Sequence, residues 1–309
     1  MNLTDDFRNG MGKKLIWLLL VAILLLVAGW YIYWRLARSV PHQSPVATTW
    51  PAISPVEPSN PSSLPLNPGG SVPAGREPAI KKEPAAASGF VLRQGETLEY
   101  DANVTKLNST VARLKIAAVE KRNTGGRPIW HLQALAHTEN PYRMVFELDD
   151  QFDSYSDASS MTSLQYEMHL SERGQKVDSV QRMLPSLQDA APPGQSAARV
   201  LPGTRDPLSM LHYLRGVDWN KVSEVRGPVY DGHKLYDTRA VLIGKGIAVS
   251  VPSGKFTTSK IEIHVMDNGT EMKDAHFLLY LTNDAARLPV LMEAVLPVAT
   301  ARVELTHWK

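Results

Sequence analysis

The feature that most constrains the fold is a strict alternation of apolar and polar residues in several short segments after residue 89. Such alternation has the period of a β-strand and places all apolar side chains on one face of the strand. It predicts strands that bury one face and expose the other to water. The pattern occurs in residues 112–118 (ARLKIAA), 130–137 (WHLQALAH), 164–170 (LQYEMHL) and 260–265 (KIEIHV).

Tight turns lie between or beside these segments, at Asp231-Gly232, Ser253-Gly254 and Asn268-Gly269. Glycine adopts the positive φ of a hairpin turn at little energetic cost. Residues 244–246 (GKG) predict a further reversal of the chain. Short strands joined by tight turns favour an antiparallel meander over parallel β-α-β units. We therefore expect an antiparallel sheet with one apolar face, which some other element must cover.

One segment of this region has the signals of a good helix. Asp206 can cap its N-terminus, Pro207 suits the first helical position, and Gly216 can end the helix after Arg215. Leucines and a tyrosine between residues 208 and 214 provide an apolar side. Residues 89–309 are numerous enough to bury a core as one domain. The predicted fold is mainly β, with a curved antiparallel sheet (a half-open barrel) wrapped around this short helix.

Near the N-terminus, residues 15–34 (LIWLLLVAILLLVAGWYIYW) contain no charged residue. A helix of this length can cross the apolar part of a bilayer. Lysines precede the stretch, and aromatic residues crowd its far end, where such rings favour the headgroup region. We predict a single-pass transmembrane helix with residues 1–14 in the cytoplasm. A cleaved signal peptide is the alternative, although its apolar region normally spans only about 7–15 residues.

A proline-rich stretch follows this apolar segment. Residues 35–88 contain half of the chain's 22 prolines, among serine, alanine and glycine. Such a composition buries too little apolar surface to offset the entropy of ordering, so it predicts a flexible linker. We interpret the linker as a spacer between the membrane and residues 89–309. A tether of arbitrary length and a motif for a proline-binding partner are the alternatives.

Composition and motif spacing exclude several kinds of site. The chain has no cysteine. Its 33 basic and 31 acidic residues leave a net charge of +2, which does not indicate the strongly basic surface of a nucleic-acid-binding protein. No nucleophile motif lies at a strand-to-helix turn. The acidic residues 149–157 (DDQFDSYSD) lack EF-hand spacing, and His131 and His137 lie about 20 Å apart along one strand. We therefore predict no catalytic residue, no metal site and no cofactor.

Several motifs, taken in their order along the chain, are similar to those of a known family. They are residues 95–100 (GETLEY), 149–157 (DDQFDSYSD), 206–215 (DPLSMLHYLR), 231–237 (DGHKLYD), 254–256 (GKF) and 281–290 (LTNDAARLPV). Together they resemble an exported bacterial family catalogued as Domain of Unknown Function 3108, over roughly residues 90–305.

This resemblance implies a half-open β-barrel, comparable in shape with the periplasmic lipoprotein carriers LolA and LolB, and hence a hydrophobic groove. It implies no known activity. The chain departs from the family pattern in its predicted anchor and linker, and in a proline-rich segment before the helix, residues 185–202, that reads as a flexible insertion. These departures argue against a freely diffusing carrier.

These inferences place residues 89–309 in the periplasm, held at the bacterial inner membrane by the single-pass helix. We expect a binding module, not an enzyme, for a hydrophobic or amphiphilic envelope ligand such as a lipid, a lipoprotein or an acylated glycan. A structural scaffold with a fully packed core, binding an envelope protein partner, is the alternative. The predicted ligand-binding residues lie on the apolar face of the sheet and are Leu114, Ile116, Trp130, Leu132, Tyr166 and Met168.

Overall fold

The computed structural model describes residues 90–105, 107, 109–185, 196–272, 276–295 and 299–309. The predicted cytoplasmic tail (1–14), transmembrane helix (15–34) and linker (35–88) lie outside these residues and stay predictions. Among the residues described, no helix is both long enough and apolar enough to cross a membrane.

Strands account for most of the described chain. They are β1 (Thr97–Val104), β2 (Thr110–Thr124), β3 (Arg127–Thr138), β4 (Asp149–Asp157), β5 (Ser163–Glu172), β6 (Gln175–Leu184), β7 (Ala197–Arg199), β8 (Glu224–Tyr230), β9 (Leu235–Val251), β10 (Gly254–Asp267), β11 (Thr270–Glu271), β12 (His276–Thr282), β13 (Pro289–Val295) and β14 (Thr300–Trp308). A 3-10 helix covers Tyr142–Met144, and one α-helix, α1, covers Pro207–Gly216.

All the strands belong to one sheet, in the order β7-β6-β5-β4-β3-β2-β1-β14-β13-β12-β10-β9-β8, with β11 paired to β10. The first strand pairs with the last, and two antiparallel meanders run outward from that pair to β6 on one side and to the edge strand β8 on the other. The other edge is the short strand β7, beside β6. In the described residues, β7 and β8 do not pair with each other. The prediction of a mainly β fold with a large curved sheet is confirmed, and the sheet does not close.

Two predicted features of this sheet need correction. Residues 244–246 do not reverse the chain but lie inside β9, where Gly246 has a φ of 70°. Opposite them, Thr258 pairs with Ile247 and Lys260 with Gly244, so β9 carries one extra residue. Glycine here permits a β-bulge and not a turn.

Within the predicted flexible insertion, β7 forms a short parallel pair with β6, which the sequence did not predict.

The helix α1 lies inside the curve of the sheet, against β3, β4 and β8. Asp206 caps it, because its Oδ1 atom accepts a hydrogen bond from the backbone N–H of Ser209 at 2.9 Å. The predicted cap and the proline at the first turn are confirmed. Every residue from Pro207 to Arg215 is buried. The helix is therefore enclosed on all sides, whereas the sequence predicted only one apolar side.

The segment just before α1 connects the two ends of the sheet. The backbone N–H of Ser163 in β5 donates to the Thr204 carbonyl at 3.0 Å. On the other side, the backbone N–H of Arg205 donates to the Pro228 carbonyl at 3.0 Å, and that of Tyr230 donates to the Arg205 carbonyl at 2.8 Å. One short segment thus joins β5 to β8 and fixes the start of the helix.

The inner face of the sheet and α1 share one hydrophobic core. Leu132 in β3, Leu208 in α1 and Leu305 in β14 have no measurable exposure. These residues come from distant parts of the sequence, and each fully buried leucine contributes about 1.5–3 kcal/mol to folding. The apolar face and the helix are therefore packed into a single core.

Candidate functional site

A cavity of about 330 Å³ lies beside α1. Its wall combines the first described residues (90–92), residues of β2 and β3, the turn at 158–161, and the second half of α1. Ligand pockets in proteins typically measure about 300–1,000 Å³, so this cavity falls at the small end of that range. The apolar part of its wall is formed by Phe90, Leu92, Trp130, Met161 and Val217. We take this cavity as the candidate functional site.

A β-bulge in β2 brings a cation to the cavity. The pairing of β2 with β3 shifts between Ala118 and Glu120, so that Lys121 lies directly opposite Trp130. Without the extra residue at Val119, strict alternation would point Lys121 to the outer face. The Lys121 Nζ atom lies 5.5 Å from the centre of the Trp130 ring, within the range of a cation–π contact. Trp130 is thus both a wall of the cavity and a support for the cation.

The turn at 158–161 is held in a fixed shape by Asp157. The Asp157 Oδ1 atom accepts hydrogen bonds from the backbone N–H groups of Ser159 and Ser160, each at 3.0 Å. Partial burial raises the pKa of Asp157, but these bonds and those from the serine hydroxyls outweigh it, so the pKa lies below its usual value. Met161 adopts a φ of 56°, which is uncommon for a residue with a side chain. The rigid turn places the Met161 side chain against the cavity.

His212 lines the cavity and has a buried ring donor without a partner. The Nη1 atom of Arg215, which can only donate, lies 3.2 Å from the Nδ1 atom of His212. Burial, and then the charge of Arg215, hold the pKa of His212 well below its usual value, so the ring is neutral. The proton therefore resides on Nε2, which is buried and has no hydrogen-bond partner among the described residues. A buried N–H without a partner is rare in native structures.

Arg215 ties the N-terminal wall of the cavity to α1. Its guanidinium forms a bidentate pair with Glu96, with N–O distances of 2.5 and 3.1 Å. It also donates to the backbone carbonyls of Ala286 and Arg287, each at 3.1 Å. The ring of Phe90 lies 4.9 Å from the guanidinium carbon. This network holds residues 90–96 in place, and the sequence identified Arg215 only as the last residue of the predicted helix.

The six predicted ligand-binding residues all lie on the inner face of the sheet, as their alternation predicted, and each is at most 4% exposed. Of the six, only Trp130 lines the cavity. The other five pack within the hydrophobic core. Whether any of them contacts a ligand stays a prediction.

Sequence reasoning missed the polar members of the site, Lys121 and His212, and the wall residues Phe90 and Met161. The His212–Arg215 spacing of three residues places both on one side of a helix and was a usable signal. No comparable signal in the sequence predicts the bulge that turns Lys121 to the inner face.

The acidic stretch of β4 does not converge on one point. Asp149 pairs with Arg143 at 2.5 Å, and Asp150 accepts a hydrogen bond from the backbone of Ser171 at 3.0 Å. Asp157 accepts hydrogen bonds from the turn at 158–161, as described above. Asp149, Asp153 and Asp157 share one face of β4 but are four residues apart, about 13 Å along the strand, and Asp150 points to the opposite face, so these acids form no single calcium site.

The sequence matches the protein family of unknown function DUF3108 over residues 99–306. That span exceeds half of the 309-residue chain. The chain belongs to this family. The resemblance seen in its motifs is therefore confirmed. DUF3108 carries no assigned enzymatic activity in its description, and no curated protein matches the sequence.

Three solved structures are similar in shape to this DUF3108 protein. A β-barrel-like protein of the DUF1849 family from Brucella abortus is 12% identical, with a TM-score of 0.46, and the match covers 71% of this chain and 99% of that chain. A protein from Parabacteroides distasonis, described as a lipoprotein candidate, is 11% identical, with a TM-score of 0.36, over 74% and 100% of the two chains. A Bacteroides fragilis protein described as a candidate exported protein is 10% identical, with a TM-score of 0.32, over 73% and 99%. All three likenesses are distant.

Proposed function

We propose that this DUF3108 domain is a non-catalytic binding module that holds a single-chain amphiphile of the bacterial envelope in the cavity beside α1. The observation that carries the proposal is that His212, a residue of the cavity wall, has a buried ring N–H without a partner among the described residues. Leaving such a donor unpaired costs roughly 1–3 kcal/mol. A carbonyl or carboxylate oxygen of a ligand that reaches this nitrogen would accept the hydrogen bond and recover that cost.

The size of the cavity favours a ligand with one acyl chain. Its volume of about 330 Å³ is at the small end of ligand pockets and leaves no room for the several chains of a lipoprotein or a phospholipid. A fatty acid, a lysolipid or the single chain of an acylated glycan fits this description. The chain would lie against Trp130, Met161 and Val217, where each buried CH₂ group contributes about 0.8 kcal/mol.

The charge at the cavity favours an acidic headgroup. Lys121 is exposed and lies over Trp130, and in the described residues no carboxylate pairs with it. A phosphate or carboxylate of the ligand would complement this cation. The proposed pose therefore has the chain in the apolar wall, an oxygen at His212 and the acidic group beside Lys121.

The predicted anchor would place this site close to the inner membrane. Residues 90–92, which form part of the wall, follow directly on the predicted linker. A spacer of this kind would hold the cavity within reach of the periplasmic face of the inner membrane, where amphiphiles are abundant. We accordingly propose a single-pass inner-membrane protein with its C-terminal domain in the periplasm.

One observation favours a second function, that of an envelope scaffold. Five of the six predicted ligand-binding residues are packed in the core around α1, as a scaffold with a filled interior requires. In that case the domain would bind a protein partner through its edges or loops, and the cavity would stay empty.

Photo-crosslinking of the full-length chain in bacterial cells distinguishes the two functions. Phe90 is replaced by p-benzoylphenylalanine, and the matched control carries the same group at Val180, which is exposed on the outer face. We expect an adduct at position 90 with the mass of a single-chain amphiphile and none at position 180. A folded protein with no lipid adduct at position 90, or with protein adducts at position 180 alone, would reject the amphiphile site.

Titration of the purified full-length chain then tests the pose. Without the His212 donor, His212→Leu should bind a fatty acid about 3–10-fold more weakly, which corresponds to one hydrogen bond. Lys121→Gln should weaken binding of an acidic lysolipid but not of a neutral monoacylglycerol. Lys115→Gln is the control, because this exposed lysine lies on the same strand but pairs with Glu99 on the outer face. Equal affinities for all four proteins would refute the pose.

A further inference from the structure

A cluster of ionisable side chains lies on the outer face of the sheet, away from the cavity. Asp153 of β4 and Glu167 of β5 are directly opposite each other, with side-chain exposures of only 4% and 7%. His169, two residues further along β5, points to the same face. One oxygen of each carboxylate and one ring nitrogen of His169 lie within 4.8 Å of one another.

Two buried carboxylates in this position need positive charge close to them. Like charges directly opposite each other destabilise a sheet, and a buried charge is costly unless it is compensated. In the described part of the chain, neither Asp153 nor Glu167 forms a salt bridge with a lysine or an arginine. Their charged contacts are with imidazoles: Asp153 with His131 at 2.6 Å, and Glu167 with His169 at 3.5 Å.

The hydrogen bond of His169 to Asp178 prepares its other nitrogen to bind a cation. The Nδ1 atom lies 2.8 Å from the Asp178 Oδ1 atom, and the Nε2 atom lies 3.5 Å from a carboxylate oxygen of Glu167. Hydrogen bonds with Glu167 and Asp178 outweigh partial burial and raise the pKa of His169 to about 9. A metal ion bound here would displace the proton from Nε2 and lie between the ring and Glu167. A carboxylate on the far nitrogen is the usual arrangement for a histidine that binds a metal.

Neutral side chains orient both carboxylates. The amides of Gln133 and Gln151 donate to the two oxygens of Asp153, at 3.0 and 2.7 Å. The amide of Gln165 donates to Glu167 at 2.5 Å. These bonds fix the direction of each carboxylate without neutralising its charge, as the partners of metal ligands do.

We propose that Asp153, Glu167 and His169 form a binding site for Zn²⁺ on the outer face of the sheet. One imidazole nitrogen and two carboxylate oxygens are ligands that zinc accepts, with water in the fourth position. Calcium would need about six to eight oxygen ligands. The sequence predicted no metal site because it compared histidines along one strand, whereas these ligands come together across two strands.

Zinc titration of the metal-free, tag-free full-length chain, in competition with a chromophoric chelator, tests the site. We expect one Zn²⁺ per chain, and His169→Gln should weaken its affinity by at least about tenfold. His137→Gln is the matched control: this histidine also lies on the outer face, but it contacts Glu139 and no member of the cluster. Its affinity for Zn²⁺ should equal that of the unmodified chain.

Asp178→Asn provides a second variant at an exposed position, where a folding defect is not expected. Because this change disturbs only the orientation of His169, we expect about a 10–100-fold weaker affinity for Zn²⁺. X-ray absorption of the zinc-loaded protein should show only nitrogen and oxygen ligands. Equal Zn²⁺ affinities for the unmodified chain and both cluster variants would overturn the proposal, and a protonated His169 would then balance the carboxylates alone.

Discussion

The ion pair between Arg215 and Glu96 should contribute more to stability than any other pair described above. The Arg215 side chain has no exposed surface and that of Glu96 is 13% exposed. Both guanidinium nitrogens at the end of the side chain bond to the carboxylate, and two backbone carbonyls and the Nδ1 atom of His212 accept further hydrogen bonds. The carboxylate is therefore the only full charge that balances the buried cation in this contact.

Glu96→Gln keeps the shape of the side chain but removes its charge. Breaking a buried ion pair from one side typically costs 3–5 kcal/mol, because the other charge stays buried without compensation. Since Glu96 retains slight exposure and Gln can still accept one hydrogen bond, we expect about 3 kcal/mol at the lower end of that range. A loss of this size is a large share of the roughly 5–15 kcal/mol that stabilises a typical domain.

Urea unfolding of the full-length chain, followed by tryptophan fluorescence, measures this loss. The matched control is Glu99→Gln, which breaks the pair with Lys115 at 3.7 Å, where both side chains are nearly half exposed. An exposed pair of this kind contributes at most about 1 kcal/mol. Equal losses of unfolding free energy in Glu96→Gln and Glu99→Gln would refute the claim that Glu96→Gln leaves the buried charge of Arg215 without compensation.

A double variant separates the charge from the packing. Arg215→Met alone leaves the Glu96 carboxylate without its partner, whereas Arg215→Met with Glu96→Gln leaves no charge at all. We expect the double variant to be more stable than Arg215→Met alone, because the removal of both charges ends the cost of burying either one. If the loss of unfolding free energy in the double variant equals the sum of the losses in the two single variants, this account is contradicted.

Three further predictions concern the core, the helix cap and the response to pH. Leu132→Ala should lower the free energy of unfolding by about 2–5 kcal/mol in urea, since this leucine is fully buried; a loss below 1 kcal/mol would mean that the core collapses around the site. Asp206→Ala should cost about 1–3 kcal/mol in the same assay, because the cap bond to Ser209 and the bond from Ser154 are both lost. Burial raises the pKa of Asp150 to about 6, so the folded state holds its proton more tightly than the unfolded state. The unfolding free energy of the unmodified protein should therefore rise, relative to Asp150→Asn, as the pH falls from 7.5 through 6 towards 4, and parallel pH profiles would refute this.

The two proposed sites lie on opposite faces of the same sheet. Trp130 of β3 faces the cavity, whereas Asp153 on the neighbouring strand faces the proposed zinc site. Because successive residues of a strand point to opposite faces, one sheet can support both sites without shared ligands. The variants of one site therefore serve as controls for the other.

The sequence alone determined several of the strands and the face that their alternating residues occupy. The alternation in residues 130–137 is a local property of the strand, so Trp130 and Leu132 were assigned to the buried face correctly. Asp206 and Pro207 likewise act within one turn of the helix, and their roles as cap and first residue were predicted. The order of the motifs also identified the family.

Only the tertiary structure decided which side chains meet. The bulge at Val119 changes the register of β2 against β3 and thereby moves Lys121 to the cavity, and the alternation of β2 alone does not reveal it. Asp153 and Glu167 become neighbours through the pairing of two strands, a contact that no spacing along one strand contains. His212 is enclosed because the sheet curves around every side of α1. Periodicity specifies the face of each residue, whereas register and curvature, which depend on the whole sheet, specify its neighbours.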